Sequence, residues 1–323
     1  MLVENGIVRV GAEIEIAQFT EGNTYQGVAE RLINAGHMEG TTADWQQWHQ
    51  YKCACGLGCK RIKSGVVLDP PLVSMQYDAS LPDSGAEFII SPTLLIDGMD
   101  EMRNIWNIVT ENAVWARPAA MRGDGQIASP SIHLHVSAIM PGFDARPIAE
   151  VPVRSLNPLN DVLHALSLFG PELILLSDIE ELRRGLTFRK PTREADGRNG
   201  HHGFIHVRKF NPPNQVYIEW RMFEAAYESW EYFEQATYVS AGLTRALLKE
   251  ETLPRLMASG YHEVPRLREM EAAIRNDDTE AALALVSPAR LGALRDILEA
   301  EMYDDMRGFA RIVSRFTEVE ARV

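Results

Sequence analysis

The run VRVGAEIEIA (Val8–Ala17) alternates apolar and polar residues over almost its whole length. In an extended chain successive side chains point to opposite faces. Val8, Val10, Ala12, Ile14 and Ile16 therefore share one face, and Arg9, Gly11, Glu13 and Glu15 share the other. A sheet with one solvated face explains such a strand. Two carboxylates held side by side to grip a cation explain it as well.

Three later stretches repeat the arrangement. GAEFIISP (85–92), ending at Pro92, sets Glu87 against Ala86 and Phe88. SIHLHVSA (131–138) sets His133, His135 and Ser137 against Ile132, Leu134 and Val136. YIEWRMF (217–223) sets Glu219 and Arg221 against Ile218, Trp220 and Met222. Carboxylates, imidazoles and a guanidinium thus gather where solvated faces also favour Thr, Lys, Ser and Gln. Two carboxylates about 4 Å apart repel by about 1 kcal/mol in water and about 4 kcal/mol at an effective dielectric of 20. A divalent cation offsets that repulsion. Carboxylate oxygens suit Mg²⁺ or Mn²⁺, which in turn hold nucleotide phosphates.

The chain of 323 residues, 46% hydrophobic, is long enough for one large domain or two ordinary ones. A formal charge of −13 argues against a general nucleic-acid or anionic-membrane binder. The N-terminal MLVENGIVRV lacks the basic start and apolar run of a signal peptide, and no long apolar stretch follows. A soluble, cytoplasmic protein is expected. All three cysteines lie in HQYKCACGLGCK (49–60). His49, Cys53, Cys55 and Cys59 can supply four ligands to a structural Zn²⁺. The alternative is free thiols in a loop.

Helical spacing predicts helices over 24–37 and over 97–114, the latter with Met99, Met102, Ile105, Trp106 and Val109 inward. Short β-like pieces fall at 66–68 and 72–77, and a helical stretch broken at Gly170-Pro171 spans 160–177. Residues 183–209 read as a basic loop carrying Arg184, Arg189, Lys190, Arg193, Arg198 and Arg208, either a phosphate-binding lid or a solvated surface. The six tryptophans read as core, and Leu291, Leu294, Ile297, Leu298 and Met302 as one packed helical face. Strands in the first two-thirds and helices clustered at the end give an α+β class. The expected division is a catalytic domain over 1–225 with a Cys-bearing insertion at 38–64, and a helical region over 226–323 packed on the core.

Taken in order, GAEIEI, DASLPDSGAEFIISP, HLHVS and IEWR resemble the amidoligase family, carboxylate–amine ligases related to glutamine synthetase and glutamate–cysteine ligase. The resemblance covers about residues 7–225, and Ser131 departs from the glycine common before the histidine strand. It implies a curved antiparallel sheet whose concave face holds ATP and Mg²⁺ (or Mn²⁺), with helices on the convex face. It implies metal ligation by Glu13, Glu15, Glu87, His133 and Glu219, with His133 also touching phosphates and His135 lining the same site. Arg221 would hold the transferred phosphoryl group, and Asp78 would act as a base or amine ligand unless it merely shapes the DASLPDSG turn. Arg189, Arg193 and Arg208 would meet the nucleotide.

The implied activity is ATP-dependent amide formation through an acyl phosphate, from a carboxylate and an amine of amino-acid, peptide or polyamine type. Such chemistry needs positioning and charge neutralisation rather than a protein nucleophile. A metal-dependent phosphohydrolase or nuclease is the alternative enzyme, and a structural protein retaining the fold is the alternative outside enzymes. The two substrates and the oligomeric state are not written in these motifs.

Overall fold

The computed structural model describes residues 7–16, 18–38, 73–76, 85–114, 132–139, 205–211, 215–220, 230–248 and 278–302, with scattered positions between 269 and 322. Strand β1 (Ile7–Ile16) lies inside an open six-stranded sheet. It pairs antiparallel with β4 (Ala86–Leu94) on one side and β6 (Ile132–Ile139) on the other. Beyond β4 lies β3 (Val73–Gln76). Beyond β6 lie β8 (Gln215–Trp220) and then β7 (Ile205–Asn211), and these pairings are antiparallel too. A separate two-stranded ribbon joins β2 (Gln18–Phe19) to β5 (Ala113–Val114). The fold is a mixture of helices and strands around an open antiparallel sheet.

One face of the large sheet is apolar and merges with the helices into one core. Ala12, Ile14, Ile16, Phe88, Ile90, Leu134, Val136, Ile218 and Trp220 are buried there. Helix α1 (Tyr25–Asn34) begins at Thr24, whose hydroxyl accepts from the Gly27 N–H at 3.1 Å. It ends near Gly36, at a φ of +79° that favours glycine. Helix α2 (Leu95–Thr110) buries Met99, Met102, Ile105, Trp106 and Val109, the stripe its periodicity predicts. Helix α3 (Trp230–Ala246) meets the sheet through Thr244, which accepts from Trp220 Nε1 at 3.1 Å. Phe233 packs between Trp106 and Trp230, with ring centroids 4.8 and 5.3 Å away. Two further helices, α4 (Thr279–Ala284) and α5 (Pro288–Met302), follow, and α5 buries Leu291, Leu294 and Leu298.

Three boundaries differ from the sequence expectation. Strand β4 does not stop at Pro92 but continues to Leu94. The register slips between Val10 and Ala12, so Ser91 and Pro92 together stand across from Gly11. A bulge tolerates a proline, whose missing N–H would break a regular ladder. Helix α2 stops at Thr110 rather than 114, because Asn112 turns back on it. The Asn112 side chain donates to the Ile108 carbonyl at 2.6 Å, and its own carbonyl accepts from Thr20 N–H at 3.0 Å.

The third difference lies in the basic stretch expected to be a loop throughout 183–209. Residues 205–211 form the edge strand β7. Trp106, Trp220 and Trp230 are buried as expected. The other expectations for segments 39–72 and 115–131, including Trp45, Trp48, Trp115 and the 66–68 piece, lie outside the described residues, as does the 160–177 helix. Among the described residues no helix is long and apolar enough to cross a membrane.

Candidate metal centre

The alternation that buries one sheet face places the acidic and imidazole residues on the other. Across the strands they form rows. Glu87 of β4 stands directly opposite Glu15 of β1. Glu13 of β1 stands opposite His133 of β6, and His135 of β6 stands opposite Glu219 of β8. Directly opposed residues have Cβ atoms about 4.5–5.5 Å apart, close enough for their side chains to meet.

This face is not a solvated one. Glu219 is 1% exposed, His133 2%, Glu15 4% and Glu87 5%. A buried carboxylate is costly unless it is neutralised or charge-paired. Several such groups on one sheet face therefore need compensating positive charge.

Part of that charge is visible. Glu13 lies between the two imidazoles, with His133 Nδ1 2.8 Å from one carboxylate oxygen and His135 Nε2 2.9 Å from the other. His133 Nδ1 is also 3.9 Å from Glu219. On its far side the His135 ring bonds through Nδ1 to the Tyr217 hydroxyl at 2.7 Å. Burial alone would raise the Glu13 pKa, but His135 and His133 outweigh it and hold the carboxyl far below its ordinary range. Burial alone would lower the His135 pKa, and Tyr217, Glu13 and Glu219 reverse this, raising it well above the usual histidine value.

Glu13, His135 and Glu219 each offer one donor atom, and the three donors lie within 4.8 Å of one another. Carboxylate oxygens and imidazole nitrogens ligate at about 2.0–2.2 Å, which puts two donors of one cation at most about 4.4 Å apart, so a small closing movement would let one divalent cation touch all three. Two carboxylates with one neutral imidazole make a donor set for Mg²⁺ or Mn²⁺, the imidazole favouring the latter. With its pKa raised by these neighbours, His135 can itself carry positive charge beside the two carboxylates.

Of the residues singled out in the sequence, Glu13, Glu15, Glu87, His133, His135 and Glu219 are brought to this one face. His135, expected to line the same site, groups with Glu13 and Glu219 as a candidate ligand, and His133 Nδ1 lies 2.8 Å from Glu13. Arg208 is the extra residue of a bulge in β7, where the register slips between Val207 and Lys209. Arg221, Asp78, Arg189, Arg193 and the His49, Cys53, Cys55, Cys59 set lie outside the described residues.

Two residues of the site were not assigned a role from sequence. Tyr217 lies two positions before Glu219, so the strand period puts it on the same face. His206 holds the register position opposite Glu219 on β7, so Glu219 has a histidine position on either side. The I-H-V alternation of 205–207 carries that signal in the sequence, but the charges that follow disguise it.

No protein-family model matches the chain. No curated protein matches it either. Among solved structures, one described as a crystal structure of a novel glutamine synthase homolog aligns over 98% of this chain and 67% of its own. The TM-score is 0.37 and the identity 13%. A likeness that distant decides neither the fold family nor the activity.

Proposed function

We propose that this chain is an ATP- and divalent-cation-dependent carboxylate–amine ligase with a glutamine synthetase-like fold. The observation that carries the reading is the enclosed Glu13–His135–Glu219 cluster, with Glu15 and Glu87 in the adjoining row. Its support from sequence is the ordered G-x-E-x-E, H-x-H and E-x-R strands, whose described members the fold brings together on one face.

Bound cation would neutralise phosphate charge and orient the nucleotide. The protein's own part is to fix the ligands. Glu13 is held ionised between two imidazoles, and the Tyr217 hydroxyl holds the His135 ring by its Nδ1 edge. Arg221 is assigned to the transferred phosphoryl group, Asp78 to the incoming amine, and Arg189, Arg193 and Arg208 to the nucleotide. Activation of the carboxylate as an acyl phosphate, then attack by an amine, asks the protein for orientation and exclusion of water. The substrates proposed are a carboxylate and an amine of amino-acid, peptide or polyamine type.

The test is phosphate release by the purified chain with ATP, Mg²⁺ or Mn²⁺, and pools of amino acids and polyamines. The ligase reading expects release that requires both a carboxylate and an amine. Release from ATP with neither present indicates a phosphohydrolase. Failure to bind ATP at all indicates a non-catalytic protein.

A further inference from the structure

One row along the same face, the character of the side chains changes. Arg9 of β1 stands opposite Ser137 of β6, Ser137 opposite Tyr217 of β8, and Tyr217 opposite Lys209 of β7. This basic and hydroxyl-bearing row lies immediately beside the row of Gly11, His135, Glu219 and His206. The bulge in β7 brings Lys209 rather than Arg208 into register with Tyr217.

Arg9 is the informative member. Its Nε is screened from solvent and has no hydrogen-bond partner among the described residues. The side chain is partly buried, and that burial lowers its pKa from the ordinary arginine value. Its cross-strand neighbours are Ser137 and Leu94, neither of which carries a compensating charge. A partly buried cation whose Nε has no partner among the described residues is suited to an anion on this face.

We propose that Arg9, Ser137 and Tyr217 form an oxyanion-binding subsite that adjoins the candidate cation site and takes a carboxylate or phosphate group. The planar guanidinium matches two oxygens of either anion, and the hydroxyls donate to a third position. Tyr217 joins the two rows. Its hydroxyl lies 2.7 Å from His135 Nδ1 in the neighbouring row. The assignment of the anion to a substrate carboxylate or a phosphoryl group rests on the proposed ligase function, whereas the subsite itself rests on the row.

The experiment is calorimetric titration of the full chain at a fixed Mg²⁺ concentration, with inorganic phosphate and separately with glutamate, for wild type, Arg9→Lys and Arg9→Gln. At least one anion should bind the wild type. Arg9→Gln should weaken it by about tenfold or more, the loss of a charge-assisted contact, with Arg9→Lys in between. Mn²⁺ affinity should change by less than about threefold in the same variants, because Arg9 is not a ligand. Should Arg9→Gln fail to fold, Ser137→Ala provides the same test and should weaken the anion by about threefold or more.

Binding of phosphate alone assigns the subsite to the phosphoryl group, and binding of glutamate alone assigns it to the substrate. No binding of either anion to the wild type, or unchanged affinity in Arg9→Gln, overturns the subsite. Anion binding through Arg9 in a chain that never couples ATP to amide formation would keep the subsite and refute the ligase reading.

Discussion

Replacing Glu13 by Gln removes the charge on which His133 and His135 both converge, at 2.8 and 2.9 Å, while keeping the shape of the side chain. In the cation-free protein the sign of the effect follows from two pKa shifts. The folded Glu13 carboxyl is held below its ordinary value of 4.5, so its stabilisation is present above that pH and is lost as pH falls through the folded pKa. The folded His135 is raised above 6.5, so its stabilisation is complete below that pH and is lost as pH rises through the folded pKa. The pair therefore contributes most between about pH 4.5 and 6.5.

Their side chains are 20% and 13% exposed, so the pair is largely enclosed. Breaking a buried pair costs about 3–5 kcal/mol, and the remaining exposure of Glu13 favours the lower end. At high pH, where the imidazole is neutral, the loss shrinks toward that of an ordinary hydrogen bond, about 1 kcal/mol. Urea unfolding of wild type and Glu13→Gln with a chelator at pH 5.5 and pH 9 measures both. Equal losses at the two pH values, or no loss at pH 5.5, would refute the charged-pair reasoning.

Cation binding should show the opposite pH preference. A cation takes the lone pair of His135 Nε2, so it displaces one proton, while Glu13 is already ionised. Mn²⁺ affinity should rise about tenfold per pH unit from 6.5 until the raised His135 pKa is passed, and His135→Gln should flatten the slope. Glu15→Ala should leave the chain folded by circular dichroism yet abolish ATP use dependent on Mg²⁺. Gly98→Ala should destabilise by about 1–3 kcal/mol in urea. A Cβ there would come within 2.1 Å of the buried Thr93 side chain, and pairing it with Thr93→Ser should restore part of the loss.

The alternation of β1, β6 and β8 was readable because a period of two needs only neighbouring residues. Glu13, Glu15, His133, His135 and Glu219 could thus be put on polar faces without knowing which strands pair. Which residue meets which depends on register across distant segments, and Glu13 is 120 residues from His133. That distance hid the grouping in which His135 stands with Glu13 and Glu219 while His133 bonds to Glu13.

Strand β7 escaped notice for a local reason. Its bulge interrupts alternation just where Arg208 and Lys209 make the segment look like a basic loop. Pro92 misled in the same way, since a bulge carries β4 through a residue that ordinarily ends a strand. Arg9 was placed on the correct face, but its significance depends on a buried Nε with no partner among the described residues, which spacing does not reveal.

The central claim is that the buried polar face is a divalent-cation site. Electron paramagnetic resonance of Mn²⁺ added to the purified chain at pH 7.5, wild type against Glu219→Gln, tests it most directly. The account predicts that the wild type binds Mn²⁺ and that the folded variant loses about a hundredfold or more in affinity, since even an outer-shell partner is worth about 10–100-fold. Mn²⁺ that stays free in the wild-type sample, or binds the variant equally well, would contradict it.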